Sequence, residues 1–539
     1  MTVAVDLAQH FLGRVDRWWK AGERHAVLIS GNTGDDAAIG SKCGSLADVL
    51  SAHLAERFDV VVRYDLADGL RIVHGDERLD QSEDGLGLPV LNALPTDALR
   101  LAREMLAGRP ERRIALVVGG LDDIAPLTSN APSVTDRACL EQLERLADDS
   151  RIADGEHLIL AICADSSPIL GRLIQPSSRW VLLELPPPDE AARLDVIEEI
   201  ISAEDAPILD GVEPRSIARL TRGMSSAELR HELLSRPIVD AREVHQMRRA
   251  AVERCAGGLL EAIEPRPGGW AEVPGLDHVR RAFDELVLPD GSFSSFAGDG
   301  VLLAGPPGCG KSITPKALAA HRPVLCAALG DVRGMWYGES ERNISALFRT
   351  GRTFGPLVGF IDEIEGMLGR RPEGPDGTSG VEKRVFARFL AGIEETRREG
   401  SVLWVGATNR PDLIDEAMLS RFPRVLPVLL PGPIARARIL AAVARSLGAD
   451  DDAIDWEAVG GRLPNASSRD LEHIVRRAAL LTSGRLTEDA VDGVVDAWRP
   501  PRSLHEIHRL SLAALEHVRF EMDMPPTADL PEHLTGSTP

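Results

Sequence analysis

The stretch GVLLAGPPGCGKSITPKALAAH, residues 300–321, constrains this chain more than any other. An apolar, strand-like run leads into G-x-x-x-x-G-K-S and then into a helical pattern, the context in which such a loop binds phosphate. Its glycines let backbone N–H groups surround an anion, and the N-terminus of the following helix adds partial positive charge. Gly305, Pro306, Pro307, Gly308, Cys309 and Gly310 would form the cradle. Lys311 would reach the β- and γ-phosphates of ATP, and Ser312 would hold Mg²⁺. Lys311 is one of only five lysines, arginine supplying nearly all the other positive charge. Pro315 departs from the pattern. Inside the first turns of an α-helix it removes a hydrogen bond and crowds the carbonyl of Lys311, so a local bend is expected.

Two series of apolar runs could supply the sheet behind such a loop. The first is HAVLIS (25–30), DVVVRYDL (59–66), RIALVVGG (113–120), HLILAIC (157–163) and WVLLELP (180–186). The second is GVLLAG (300–305), PVLCAALG (323–330), PLVGFIDE (356–363), SVLWVGATN (401–409) and RVLPVLLP (424–431). Strands alternating with helical patterns predict α/β units with mostly parallel sheets. A single core stops growing at about 250–300 residues, so 539 residues should hold more than one unit. The expected division is an α/β unit with a helical lid over 1–236 and a polar bridge over 237–268. An α/β unit over 269–432 and its helical lid over 433–500 follow. Residues 501–539 are expected to form a helix and a proline-rich, disordered tail from Pro525.

The run LVGFIDEIE (357–365) ends a strand in two acids. Asp362 would bind Mg²⁺, and Glu363 would orient and polarise an attacking water. The run WVGATNRPDLID (404–415) ends another strand in Thr408-Asn409, and the Asn409 amide can reach a γ-phosphate or that water.

Composition narrows the partners. A net charge of −22 weighs against non-specific nucleic-acid binding, which rests on positive charge. The six scattered cysteines form no C-x-x-C pair, which fits reduced thiols in a cytoplasmic protein. No apolar run approaches the length of a membrane span. The N-terminal MTVAVDLAQHFLGRVDRWWK lacks a signal-peptide core and reads as an amphipathic helix. LHEIH (504–508) lacks the H-E-x-x-H spacing of a zinc helix.

MWYGESERN (335–343) places Trp336 and Tyr337 side by side in a chain with 4% aromatics and two tyrosines. Together with GWAEVPGLDHVRRAF (269–283), GPPGCGKS, VGFIDEIEGML, VGATNRPDLIDEAML and SRFPRVLPVLLPG, it resembles the AAA clade of AAA+ ATPases over about 270–480. The resemblance implies a P-loop sheet with a helical lid. It implies a homo-oligomeric ring, a hexamer by family precedent. Arg421, with Arg424 second, falls where relatives carry the arginine that reaches a neighbouring subunit's ATP. Trp336, supported by Tyr337, falls in the first pore loop, which grips a polypeptide. NASSRDLEHIVRRAAL (465–480) matches the family's sensor-2 helix, with Arg469 a candidate for phosphate contact in cis.

The first series repeats the plan without its chemistry. LISGNTGDD (28–36) stands for the phosphate loop but has no Gly-Lys-Ser. VVGGLDDIAPL (117–127) echoes the acidic strand, with Asp122-Asp123 for Asp-Glu, and Ala164 or Asp165 replaces the sensor asparagine. IARLTRGMSSAEL (217–229) resembles a lid. A degenerate AAA-like half before an active one resembles the AAA group first noted as a conserved chloroplast and cyanobacterial reading frame. TSGVEKRVFARFLAGIEE (378–395) also suits that group. The expected function is ATP-driven remodelling of a protein client. Its alternatives are a regulatory ATPase switch that threads nothing, and a nucleic-acid motor with GRRPEGPDG (369–377) lining a channel.

Overall fold

Runs of Val, Ile and Leu buried on both faces become the strands of two parallel sheets, as expected where helices cover each side. The computed structural model describes residues 5–6, 13–20, 25–39, 42–75, 94–125, 133–163, 173–174, 177–203, 206–294, 300–329, 340–368, 380–414, 416–448, 454–482, 486–500, 504–526, 529–531 and 534. The chain divides into two units, Met1–Val244 and His245–Pro539.

In the first unit the sheet strands are β1 (Ala26–Gly31), β2 (Val60–Asp65), β3 (Gly69–His74), β4 (Ile114–Val118), β5 (Leu158–Ile162) and β6 (Trp180–Leu185). Their spatial order is β3-β2-β4-β5-β1-β6, and only β3 runs antiparallel. Alternate residues face opposite sides. Leu28, Val62, Leu116 and Ile159 enter one core, and Val27, Val61, Val117 and Leu160 the other.

In the second unit they are β7 (Leu260–Ala262), β8 (Val301–Ala304), β9 (Leu325–Leu329), β10 (Leu357–Ile361), β11 (Val402–Thr408) and β12 (Arg424–Pro427). The order is β7-β9-β10-β11-β8-β12, with β7 alone antiparallel. Numbered along the chain, the five parallel strands of either unit lie in the order second, third, fourth, first, fifth. The two units share one topology.

Both lids repeat a further device. Arg193, 3% exposed, donates from Nε to Ala218 O and from Nη1 to Pro188 O. Arg436, fully buried, does the same to Gly460 O and Pro431 O. Each arginine lies near the start of a lid helix, Glu190–Ile201 or Pro433–Ser446, and ties it through Ala218 O or Gly460 O to the helix that follows and through Pro188 O or Pro431 O to the chain just before it. A capping box starts the third lid helix in each unit, at Ser225 with Glu228 and at Ser467 with Asp470.

Three expectations change. The polar bridge at 237–268 carries regular structure. Ile238–Val239 pairs with Ile208–Leu209, Ala241–Ala256 is a helix, and Leu260–Ala262 is strand β7. The helix buries Val244, Met247, Ala251 and Val252, a helical stripe hidden among arginines and glutamates. The tail beyond Pro525 is ordered at its described positions. Gly432 N donates to Asp529 O, and Leu530 and Leu534 are buried. At the N-terminus, Gly13–Lys20 is helical, and Val5–Asp6 is a strand parallel to Ala37–Ile39.

Candidate nucleotide-binding site

The loop after β8 closes tightly on β12. A Cβ built on Gly305, at φ 153°, would lie 2.1 Å from Val428 O. Lys311 is 5% exposed, and its Nζ donates to Gly305 O (2.9 Å) and Pro306 O (2.7 Å). Burial holds its ammonium below the usual lysine range, opposed by Cys309, Asp362 and Glu365 and aided by Arg469. The ammonium therefore rests on the loop it would leave for a phosphate.

Pro315 acts much as its chemistry demands. Lys311–Ile313 form a 3-10 turn, and the α-helix begins at Thr314, with the proline in its first turn. There its missing N–H has no intrahelical partner to lose. The bend is thus a change of helix type at the loop's end.

Ser312 Oγ donates to Asp362 Oδ2 at 2.8 Å, joining the two residues expected at Mg²⁺. Among the described residues no cluster of three His, Cys, Asp or Glu side chains offers a metal cage. This hydroxyl–carboxylate pair fits magnesium, which keeps water and phosphate oxygens as its other ligands. Asp362 Oδ1 accepts from Glu363 N, and Glu363 has φ 48°, uncommon for a residue with a side chain. Glu363 is exposed and follows Asp362 directly in the chain. Asn409 follows β11, and its backbone N–H donates to Glu365 Oε1 at 3.1 Å. Glu365 Oε2 is buried without a hydrogen bond. Glu365 has no role legible in its motif. The signal was its place two residues beyond the acidic pair.

The lid reaches the loop directly. Arg469 N donates to Gly308 O at 3.1 Å, and a Cβ on Gly308 would lie 2.9 Å from Ser467 Oγ. Arg469 thus sits at the phosphate loop. The two arginines before and at β12 differ sharply. Arg421 bonds Ser420 Oγ, and among the described residues no carboxylate pairs with it. Arg424 donates to Asp523, 2% exposed, and to Glu285. Trp336 and Tyr337 lie outside the described residues, as do Ala164 and Asp165.

Sheet register corrects the reading of the first unit. Gly31 meets Leu185 O as Gly305 meets Val428 O, with a built Cβ 2.3 Å away. With Gly31 set on Gly305, Ile29 pairs with Ile162 where Leu303 pairs with Ala407. Val118 then pairs with Ala161 where Ile361 pairs with Gly406. Gly119-Gly120, not Asp122-Asp123, therefore stand for Asp362-Glu363. Gly120 has φ 61°, so both units make the same turn, with a carboxylate only in the second. Counting from Gly31, Ala37 takes the place of Lys311, and it lies in a strand, Ala37–Ile39, where the second unit starts a helix.

A parallel sheet of this order, with a phosphate loop after its first strand and an acidic pair after its third, defines a P-loop nucleoside triphosphatase fold. The comparisons carry this further. Residues 301–430 match the ATPase family associated with various cellular activities (AAA), and residues 8–184 match the AAA+ chaperone N-terminal Rossmann-like domain. The second unit thus carries an AAA module, behind a first unit similar to the AAA+ chaperone N-terminal domain and lacking the lysine and the acidic pair. It is similar to Protein SAV of Sulfolobus acidocaldarius, 27% identical over 70% of this chain and 53% of that protein. It is also similar to the Cell division cycle protein 48 homolog of Archaeoglobus fulgidus, 26% identical over 70% and 56%. The chain spans about half the length of the curated relatives it matches. No helix among the described residues is long and apolar enough to cross a membrane.

Proposed function

We propose that the chain hydrolyses ATP in its second unit and uses the cycle to remodel a protein client, working as a ring of identical subunits. The observation that carries the ATPase reading is the juxtaposition of a buried Lys311, the Ser312–Asp362 pair and Glu363 at one loop. Lys311 binds the β- and γ-phosphates. Ser312 and Asp362 hold Mg²⁺, which would offset charge on the transferred phosphoryl group. Glu363 orients the water, and Asn409, anchored through its backbone to Glu365, faces the γ-phosphate. Arg469 touches the phosphates from the lid of the same subunit. Arg421 supplies the arginine to the next subunit, a role worth roughly 10³–10⁵ in rate.

The threading step rests on Trp336 and Tyr337, paired in sequence between the phosphate loop and the acidic strand. It is tested by changing both to alanine in the full chain and measuring ATPase and client unfolding together. Unfolding should be lost while basal ATPase remains. Client processing that survives in the double variant would remove threading and leave a nucleotide-driven switch. Particle images of the Glu363→Gln chain with ATP report the ring, and a monomer under those conditions would refute it.

A further inference from the structure

The first unit keeps the lid and the sheet of an ATPase, and it fills their junction with its own carboxylate. Asp35 lies four residues past Gly31, the counterpart of Gly305. It is 4% exposed. Its Oδ2 accepts from Ser226 N (2.7 Å) and from Asn32 Nδ2 (2.8 Å), and its Oδ1 accepts from Ala227 N (2.8 Å). Ser226 and Ala227 open the lid helix Ser226–Leu234, whose N-cap is Ser225. In the second unit the corresponding helix starts after Ser467, and there Arg469 N bonds the loop carbonyl of Gly308. Counted from the two N-caps, Ala227 takes the place of Arg469, so the N–H that bonds the phosphate loop in one unit bonds an internal anion in the other, as does its neighbour Ser226 N. Free N–H groups and the dipole at a helix start favour negative charge.

From this geometry we infer that Asp35 is a built-in substitute for bound phosphate, which locks the lid of the first unit onto its sheet. Here the contacts are permanent, so the first unit holds one lid orientation at every stage of the cycle. Three further facts act in the same direction. Ala37 replaces the lysine, the chain runs on as a strand rather than a phosphate-facing helix, and glycines replace the acidic pair. The inference is independent of whether the second unit threads a polypeptide.

Hydrogen exchange on the full chain tests it, read on peptides covering 225–234. In the native sequence, exchange there should be the same without nucleotide, with ADP and with ATP. In Asp35→Asn, which removes the charge but keeps the shape, Ser226 and Ala227 should exchange about 10–100-fold faster, the loss expected for charge-assisted hydrogen bonds. Photolabelling with 8-azido-ATP should mark only residues 245–539. A nucleotide-dependent change over 225–234, label within residues 1–244, or an Asp35→Asn chain as protected as the native one would each overturn the lock. The first two measurements need no substitution, so they decide the matter if the variant fails to fold.

Discussion

Replacing Arg424 by alanine removes three hydrogen bonds from two carboxylates. Two of them, from Nε and Nη2, end on Asp523 Oδ1 at 3.0 and 2.8 Å, and the third ends on Glu285 Oε2 at 2.8 Å. Glu285 is 52% exposed, so water replaces that partner at little cost. Asp523 is 2% exposed, and without the guanidinium its charge stays buried and unpaired. Breaking one side of a buried pair costs about 3–5 kcal/mol. At roughly 2–3 °C per kcal/mol for a unit of this size, the unfolding midpoint should fall by about 6–15 °C. Arg421→Ala should shift it by only about 1–3 °C, since it breaks no ion pair, yet it should abolish steady-state ATPase. Mixing Arg421→Ala with Lys311→Ala subunits should restore part of that activity, because each supplies what the other lacks across the interface. Calorimetry and a coupled ATPase assay read both effects. An Arg424→Ala chain that keeps its midpoint but loses ATPase would refute the reasoning, and would make Arg424 the arginine that acts in trans.

Gly359→Ala in β10 should destabilise the second unit by about 1–3 kcal/mol, seen as an earlier urea transition, because the new Cβ would sit 2.6 Å from Trp404 Cζ3. Trp404 cannot retreat easily, being wedged at ring-centroid distances of 5.6 Å from Phe348 and 6.3 Å from Phe389. Glu365→Ala should lower kcat about 10–100-fold with a smaller effect on KM, since it frees the backbone that carries Asn409. Glu365→Gln, which keeps an acceptor for that N–H, should recover much of the loss. Burial lowers the pKa of His25 and His157 in the first unit below 6.5. The unfolded chain then binds protons that the native unit refuses, so stability is full above about pH 6.5 and falls as pH drops toward the native values. A thermal midpoint that is flat from pH 7.5 to 5.5 would contradict this.

Much of the second unit was legible because its chemistry and its fold use the same letters. Gly305, Lys311, Ser312 and Asp362 are of the types a phosphate loop with Mg²⁺ calls for, and the strands before them are apolar on both faces. What the letters hid was set by backbone register and by long-range pairing. Asp122-Asp123 looked like the acidic pair, but hydrogen bonds across the sheet put Gly119-Gly120 in that place. The helix Ala241–Ala256 was masked by its charged outer face. Arg424 read as a second candidate for the arginine that reaches a neighbour's ATP, because its partner, Asp523, lies 99 residues away. Asp35 has no legible role within LISGNTGDD, because Ser226, whose N–H it accepts, lies 191 residues on.

The resting place of Lys311 bears on how the cycle ends. A buried ammonium stripped of phosphate would be costly to leave bare. This one has the carbonyls of Gly305 and Pro306 to return to. In the proposed cycle, the departure of ADP would end in a loop already satisfied, and the entry of ATP would begin by exchanging two internal partners for oxygens of the incoming molecule. The same two carbonyls would weaken capture and ease release, so that the turnover of spent nucleotide would be set partly by the loop's affinity for its own lysine.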